Sequence, residues 1–258
     1  MKKLINYSSP WAFLLSFSLM STMLSLCVLL KLSEFLNKFS FISMITAFSL
    51  VLMCMFYWMR DSTRESMSGN NNNDISSNMK LAVVLFLISE SFFFVSFFWM
   101  FLYSAIAPES GYWPPVSLQA PTFIGAPSLN TILLVTSSLA TVTMSHFETN
   151  YKGSWSIQWL LLTLLLSALF ITVQWMEYTS LPFNFTSSNS GAVFFISTGF
   201  HGLHVIIGTL ALVVSFMFLL NLYFTNMSMM GFELTIWYWH FVDAIWLMLY
   251  VMFYCWGH

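Results

Sequence analysis

Seven separate stretches of almost uninterrupted apolar residues dominate this chain. A spanning helix needs about 20 predominantly apolar residues to cross about 30 Å of hydrocarbon. Only 7% of the residues are charged, against about 25% in an ordinary soluble domain. We therefore predict an all-α membrane protein with seven transmembrane helices. The predicted spans are Trp11–Leu30, Phe39–Met59, Leu81–Ile106, Leu129–Phe147, Trp155–Trp175, Gly191–Phe224 and Phe232–Trp256.

The distribution of Lys and Arg predicts the orientation. With seven spans the two termini lie on opposite sides of the membrane, and positive charge collects on the cytoplasmic side or its organellar equivalent. That rule places the N-terminus on the inner side and the C-terminus on the outer side. The N-terminal side carries Lys2, Lys3, Arg60, Arg64, Lys80 and Lys152, whereas the other side carries only Lys31 and Lys38.

Two polar segments divide the chain. Residues 61–80 include four consecutive Asn, Asn70 to Asn73, and predict a flexible loop on the inner side. This loop separates a two-helix bundle, residues 1–60, from a five-helix bundle, residues 81–258. Residues 107–127 contain five prolines and predict an extended cap on the outer face.

Glu90 is the only Asp, Glu, His, Lys or Arg in the third predicted span. It follows Lys80 by ten residues, a helical rise of about 15 Å, which places its carboxyl near the bilayer midplane. Because a charge there is costly, we expect Glu90 to be protonated, paired or facing a polar cavity. A neutral, hydrogen-bonded carboxyl and a role in proton transfer or lipid binding both fit.

Histidines are concentrated in the last two predicted spans. His201 and His204 lie three residues apart on one helix, and His240 and Asp243 are spaced in the same way on the next. These four side chains could bind a metal. We favour a structural hydrogen-bond network, because imidazole bonds well between helices and nearby glycines allow close approach.

Aromatic and charged residues also meet at the predicted membrane surfaces. Trp58 is followed by Arg60 and Arg64, a pattern typical both of a lipid phosphate site and of an ordinary positive-inside anchor. At the outer side, Glu177 stands among aromatic residues in QWMEY, so we expect an interfacial anchor near the water.

Five motifs together resemble subunit III of the haem-copper cytochrome c oxidases. They are SESFFFVSFFW with Glu90 and Trp99, WPP at Trp113 to Pro115, LNT at Leu129 to Thr131, STGFHGLHVIIGT at Ser197 to Thr209, and WYWHFVDAIWLMLYV at Trp237 to Val251. The likeness extends over essentially the whole chain. No cleavable targeting signal is expected after the opening MKKLINYSSP, so the resemblance is to the mitochondrially encoded form.

The resemblance implies a V-shaped cleft between the two bundles that holds phospholipid. It implies lipid contacts at Trp58, Arg60, Arg64 and Trp99, and a buried polar network of Glu90, His201, His204, His240 and Asp243. It also implies that this chain has no catalytic residues and binds neither haem nor copper. Those cofactors would lie in the catalytic subunit I, which this chain would stabilise and assist in proton uptake. The location implied is the mitochondrial inner membrane, with the N-terminus in the matrix, the C-terminus in the intermembrane space and no nucleic-acid partner.

Two departures from the family pattern bear on lipid binding and packing. Members often carry two adjacent His after the fourth span, where this chain has His146 and Phe147. Members also tend to carry Lys or Arg at the inner end of the sixth span, whereas this chain has no positive charge between Phe216 and Phe224. Another group would have to bind lipid headgroups there.

Two other classes of membrane protein could use Glu90 and the His and Asp cluster. A proton-coupled transporter needs a midplane carboxyl, but it is typically built from repeats with broken helices, and we find no internal repeat. A membrane-embedded metalloenzyme would use the His and Asp cluster directly. Metal and haem analysis of the purified chain distinguishes these classes from an accessory subunit.

Overall fold

The computed structural model describes residues 9–31, 37–67, 73–107, 111, 113, 122–150, 155–221 and 229–256. These residues are largely helical and contain no strand. The helices are α1 (Trp11–Lys31), α2 (Asn37–Met67), α3 (Asn73–Ile106), α4 (Ala126–Val135), π1 (Thr136–Val142), α5 (Thr143–Asn150), α6 (Ser156–Ser180), α7 (Asn189–Leu220), α8 (Met230–Leu249) and π2 (Tyr250–Cys255).

Seven helices in this described part are long and apolar enough to cross a membrane. The fourth, Ala126–Asn150, consists of α4, π1 and α5, and the seventh, Met230–Cys255, of α8 and π2. The all-α class and the seven spans predicted from the sequence are confirmed, and the chain is a multi-pass membrane protein.

The helices extend further into the predicted polar loop than hydropathy indicates. Helix α2 continues to Met67 and α3 begins at Asn73, so much of segment 61–80 is helical. The reason is that an apolar run marks the part of a helix in hydrocarbon, whereas Arg, Glu and Met also favour helix in water. Residues 68–72 lie outside the described residues, as do Lys2, Lys3, Lys152 and Phe224.

The proline-rich segment 107–127 also falls mostly outside the described residues. Its last part forms the start of α4. Gly125 precedes that helix with φ 120°, a conformation that a side chain would strain, and Pro127 lies in the first turn, where a missing N–H costs little. Proline also ends α6, since Leu181 before Pro182 is extended with ψ 136°.

The chain divides into two compact units, Met1–Asn72 and Asn73–His258. In the first unit α1 and α2 pack antiparallel. The indole Nε1 of Trp11 donates to Asp61 Oδ2 at 3.0 Å, which joins the start of α1 to the last turns of α2.

Small side chains line the contact between α1 and α2. Ser18, Ser25 and Ala47 are buried there, whereas most large apolar side chains of both helices are exposed. In lipid, small residues allow two helix backbones to approach closely and gain dispersion contacts. The exposed apolar faces are suited to lipid or to other membrane helices.

The second unit has a densely aromatic core. Its fully buried large side chains include Trp239, Trp246, Tyr254, Phe94, Phe101, Phe170, Phe194 and Phe232. Helix α3 runs parallel to α8, because Lys80 contacts Glu233 near the start of both, and Phe101 near the end of α3 contacts Phe253 of π2, which continues α8. Helix α7 runs antiparallel to α3, since Phe93 contacts Phe200 while Glu90 contacts His204.

Polar side chains connect the helices of this unit. The Thr163 hydroxyl donates to Thr141 at 2.8 Å, and the Trp246 indole donates to Thr131 at 3.1 Å. The widened turns of π1 present Ser137 and Ser138 to α8. Such bonds stabilise helix pairs in lipid, where water cannot replace the missing partner.

Candidate functional site

A groove of about 740 Å³ runs between α3, α7 and α8 of the second unit. The lining side chains recur along each helix with the period of one helical face, and α7 and α8 each also contribute one adjacent pair. All but a few of them are apolar. The lining residues are Val83, Phe86, Glu90 and Phe93 from α3, Phe200, Leu203, His204, Ile207 and Ala211 from α7, and Leu234, Thr235 and Tyr238 from α8.

The groove has the length of one membrane leaflet. Val83 and Phe93 are ten residues apart on α3, a rise of about 15 Å, which is half of a hydrocarbon core of about 30 Å. Aromatic rings pack at the Phe93 end: the centroids of Phe93 and Phe200 are 5.2 Å apart, and Phe97 stacks on Phe200 at 5.8 Å.

Glu90 and His204 form a polar pair in the groove wall. His204 Nε2 lies 3.1 Å from Glu90 Oε2, and His204 Nδ1 lies 2.8 Å from the backbone oxygen of Phe200. The Phe94 ring meets the imidazole edge-on at a centroid distance of 5.3 Å, and the Tyr238 ring stacks beside it at 6.3 Å. These contacts fix the orientation of the imidazole.

A hydrogen bond between the two side chains requires one proton between them. The Phe200 carbonyl can only accept, so His204 Nδ1 carries a hydrogen. In one arrangement Nε2 carries a lone pair and accepts a hydrogen bond from the protonated carboxyl of Glu90. In the other, Nε2 carries the hydrogen and donates to the ionised carboxylate. Both arrangements place one proton between the two side chains and leave the pair without net charge. A neutral pair costs far less in hydrocarbon than an isolated carboxylate does.

An ion pair lies near the opposite end of the groove. Lys80 Nζ on α3 lies 2.9 Å from Glu233 Oε1 and 2.8 Å from Oε2 on α8. Both side chains remain partly exposed, at 39% and 31%. The charge pattern of the sequence places Lys80 at the membrane surface but does not indicate that it pairs with Glu233.

His201 is separated from this pair. It is buried between Phe170 and Trp246, whose ring centroids lie 6.0 and 5.3 Å from its own. Neither ring nitrogen has a hydrogen-bond partner among the described residues. His201 and His204 therefore face different surroundings, although both belong to the predicted polar network.

Asp243 and His240 are also placed apart from Glu90. The Ser138 hydroxyl of π1 donates to Asp243 Oδ2 at 2.5 Å, and Asp243 is buried. Within the described part of the chain, no hydrogen bond joins His240 to Asp243. The five predicted residues thus contribute to several separate contacts, of which Glu90–His204 alone lines the groove.

Glu177 differs from its sequence prediction. The sequence predicts an anchor near the water interface, but Glu177 is buried at 5% exposure and faces Tyr254 and Gln174. The Asn130 amide donates to Gln174 at 3.1 Å and extends this polar cluster to α4. The aromatic flanks of Glu177 are equally compatible with the membrane surface and with an aromatic core, so the sequence could not distinguish the two.

Comparison with known proteins identifies the family. A family model described as cytochrome c oxidase subunit III matches residues 3–258. The chain belongs to the cytochrome c oxidase subunit III family. It is therefore a membrane-embedded subunit of an oxidoreductase complex and assembles with other oxidase subunits.

Three relatives named cytochrome c oxidase subunit 3 show the degree of similarity. The protein from Yarrowia lipolytica is 40% identical over 254 residues, covering 96% of this chain and 93% of the relative. The human protein is 40% identical over 209 residues, or 80% of each chain. The protein from Allomyces macrogynus is 44% identical over 214 residues, covering 81% of this chain and 77% of the relative. The family resemblance found in the sequence motifs is confirmed.

The four residues predicted to contact lipid lie outside the groove. In the first unit, Arg60 pairs with Asp61 at 3.0 Å and its guanidinium lies 4.8 Å from the Tyr57 ring centroid. Trp58 and Arg64 are exposed on the same helix. Trp99 of α3 is 63% exposed. All four are accessible to lipid in their own unit, and their contact with lipid stays a prediction.

Proposed function

We propose that this chain is a non-catalytic core subunit of the mitochondrial cytochrome c oxidase, the complex that reduces oxygen to water and pumps protons. In this proposal it stabilises the catalytic subunit I, supports proton uptake and binds structural phospholipid. The observation that carries the proposal is the match of the subunit III family over residues 3–258.

Haem and copper belong to partner subunits in this proposal. The arrangement of the histidines supports it. Both ring nitrogens of His204 are already engaged, by Glu90 and by the Phe200 carbonyl, and His201 is enclosed by Phe170 and Trp246. Among the residues that the structure describes, no three His, Cys, Asp or Glu side chains form a group that could hold a metal ion.

The groove between α3, α7 and α8 is the proposed phospholipid site. It is lined mainly by apolar side chains and is as long as one leaflet, and in hydrocarbon such a groove is filled by acyl chain. The predicted V-shaped cleft between the first two helices and the remaining five, with headgroups near Trp58 and Arg64, stays a separate prediction.

The Glu90–His204 pair is the proposed contribution to proton uptake. It holds one proton that can lie on either side chain without a change in net charge, which makes it suitable for buffering or relaying a proton in lipid. Since Glu90 lines the groove, the lipid in the groove would control how water reaches it.

The proposed orientation has the N-terminus in the matrix and the C-terminus in the intermembrane space. It rests on the excess of Lys and Arg on the N-terminal side. Single cysteines introduced at Arg64 and at Thr186, combined with replacement of the three native cysteines, would test it in intact mitochondria. A membrane-impermeant thiol reagent should label Thr186→Cys and not Arg64→Cys.

Purification in mild detergent tests the function. The chain should be recovered with a haem-copper catalytic subunit at one copy per complex, and the isolated chain should contain no stoichiometric haem or metal. Oxygen consumption by the isolated chain with reduced cytochrome c would overturn the proposal.

A further inference from the structure

Two opposite charges stand side by side at the Lys80 end of the groove. The Lys80 ammonium contacts both carboxyl oxygens of Glu233 and lies 5.8 Å from the ring centroid of Trp237. Lysine has three donors, so the ammonium can bind a further acceptor while it remains paired. Both side chains are partly exposed, at 39% and 31%, so a further acceptor can reach the ammonium.

The pair is continuous with the groove. Val83, which lines the groove, lies one helical turn after Lys80, and Leu234, also in the lining, directly follows Glu233. The third wall, α7, contains no Lys, Arg, Asp or Glu over Asn189–Leu220. Among the side chains that the structure describes, Lys80 of α3 and Glu233 of α8 are the cation and the anion that adjoin this end of the lining.

We propose that the Lys80–Glu233 pair selects a zwitterionic phospholipid, with its acyl chain in the groove and its headgroup at the pair. The phosphate accepts hydrogen bonds from Lys80, and the headgroup ammonium donates to Glu233. Phosphatidylethanolamine has this chemistry. The inference rests on the proposed function of the groove as a phospholipid site.

Charge complementarity explains the selection. A lone cation attracts any phospholipid phosphate and favours anionic lipids, because these carry net negative charge. Glu233 cancels this advantage of anionic lipids, because its carboxylate repels the phosphate. An anionic headgroup also offers no ammonium that could bind Glu233 in compensation. A zwitterionic headgroup places a charge of opposite sign against each member of the pair.

Photo-crosslinking of lipids in the intact oxidase tests the proposal. Phosphatidylethanolamine and phosphatidylglycerol probes with the same diazirine-bearing acyl chain are supplied in equal amounts to the purified complex. Mass spectrometry then measures labelling of peptides from α3 and α7 that line the groove. Wild-type peptides should be labelled several-fold more by phosphatidylethanolamine.

Charge variants of the pair give the decisive comparison. Glu233→Gln leaves a lone cation and should shift the labelling ratio toward phosphatidylglycerol by roughly tenfold, the size expected for one charge-assisted contact. Lys80→Arg keeps the charge and should keep the wild-type ratio. The exchange of Lys80→Glu with Glu233→Lys restores a pair and should also keep it. Glu148→Gln removes the same charge outside the groove lining and serves as the control.

The outcomes separate the headgroup proposal from the lipid site itself. Groove labelling that favours phosphatidylglycerol in wild type, or a ratio unchanged in Glu233→Gln, overturns selection by the pair while the groove remains a lipid site. Absence of groove labelling by both probes overturns the lipid site and the selection together. The wild-type comparison is informative even if Glu233→Gln fails to assemble, because it needs no variant.

Discussion

Gly208 of α7 lies directly against the indole ring of Trp239 on α8. A Cβ atom at position 208 would stand 2.9 Å from Cε3 and 3.0 Å from Cζ3 of that ring. Trp239 is fully buried, and its Nε1 donates to Ser137 at 3.2 Å, so the ring is held in place. The close approach of α7 and α8, which form two walls of the groove, therefore depends on the absence of a side chain at 208.

Gly208→Ala should destabilise the subunit. Overpacking a rigid core costs about 1 to 3 kcal/mol, and the gain of about 1 kcal/mol in helix propensity offsets only part of it. Gly199→Ala and Gly202→Ala are matched controls on the same helix, since a Cβ at either position meets no atom within 4 Å in this chain. Thermal inactivation of the purified oxidase and retention of the subunit measure the effect. Equal shifts in all three variants would show that the Trp239 contact does not limit packing.

Glu90→Gln should preserve the structure of the groove wall. A glutamine amide donates to His204 Nε2 just as a protonated carboxyl does, whereas Glu90→Ala leaves that nitrogen without a partner and should cost about 1 to 3 kcal/mol. The double variant Glu90→Ala with His204→Ala should cost less than the sum of the single changes, because the two side chains share one contact.

Oxygen consumption distinguishes a supporting role of Glu90 from an obligatory one. Since the haem and copper are proposed to lie in another subunit, fully assembled Glu90→Gln and Glu90→Ala oxidases should retain initial turnover and differ in lipid retention and endurance. Immediate and complete loss of turnover in assembled Glu90→Gln would make Glu90 an obligatory proton carrier.

An apolar carbodiimide should modify Glu90 in preference to other membrane carboxyls. Such reagents enter lipid and attack protonated acids, and Glu90 lines the groove with 26% of its side chain exposed. Glu177 and Asp243 are each only 5% exposed, and Glu233, although 31% exposed, is engaged by the Lys80 ammonium at 2.8 Å. Peptide mapping should find the adduct on α3, and removal of phospholipid should increase its yield. Labelling that persists on the chain at equal yield in Glu90→Gln would contradict this accessibility argument.

Hydropathy predicted the seven helices, but neither hydropathy nor residue spacing showed which polar groups meet; the midplane position of Glu90 stays a prediction. Three residues along a helix correspond to about 300°, so His201 and His204 point about 60° apart. That angle is enough to direct His201 toward Phe170 and Trp246 while His204 faces Glu90. Sequence spacing alone predicts that the two histidines share one helix face.

Contacts between distant helices had no signal in the sequence. Lys80 and Glu233 are 153 residues apart, and the Lys80 side chain could have paired with any carboxylate at that membrane surface. The burial of Glu177 likewise depends on where π2 brings Tyr254. Such partners follow from the packing of helix faces, which a single sequence does not specify.

Ser138 and Asp243 provide the last prediction, because their bond joins π1 to α8 inside the core. The hydroxyl lies 2.5 Å from Asp243 Oδ2, and Asp243 Oδ1 has no partner among the described residues. Ser138→Ala should therefore leave the whole carboxyl unsatisfied and cost about 1 to 3 kcal/mol. Ser167→Ala is the matched control, since Ser167 is equally buried but donates only to Leu164 of its own helix.

Thermal unfolding of the two serine variants in the purified oxidase measures the difference. Ser138→Ala should lower the midpoint clearly more than Ser167→Ala, because only the first change removes a bond between helices. Adding Asp243→Asn to Ser138→Ala should recover part of the loss, since a neutral amide is less costly to bury than an unpartnered carboxyl. Equal midpoints for Ser138→Ala and Ser167→Ala would mean that the Asp243 bond contributes no net stability to the subunit.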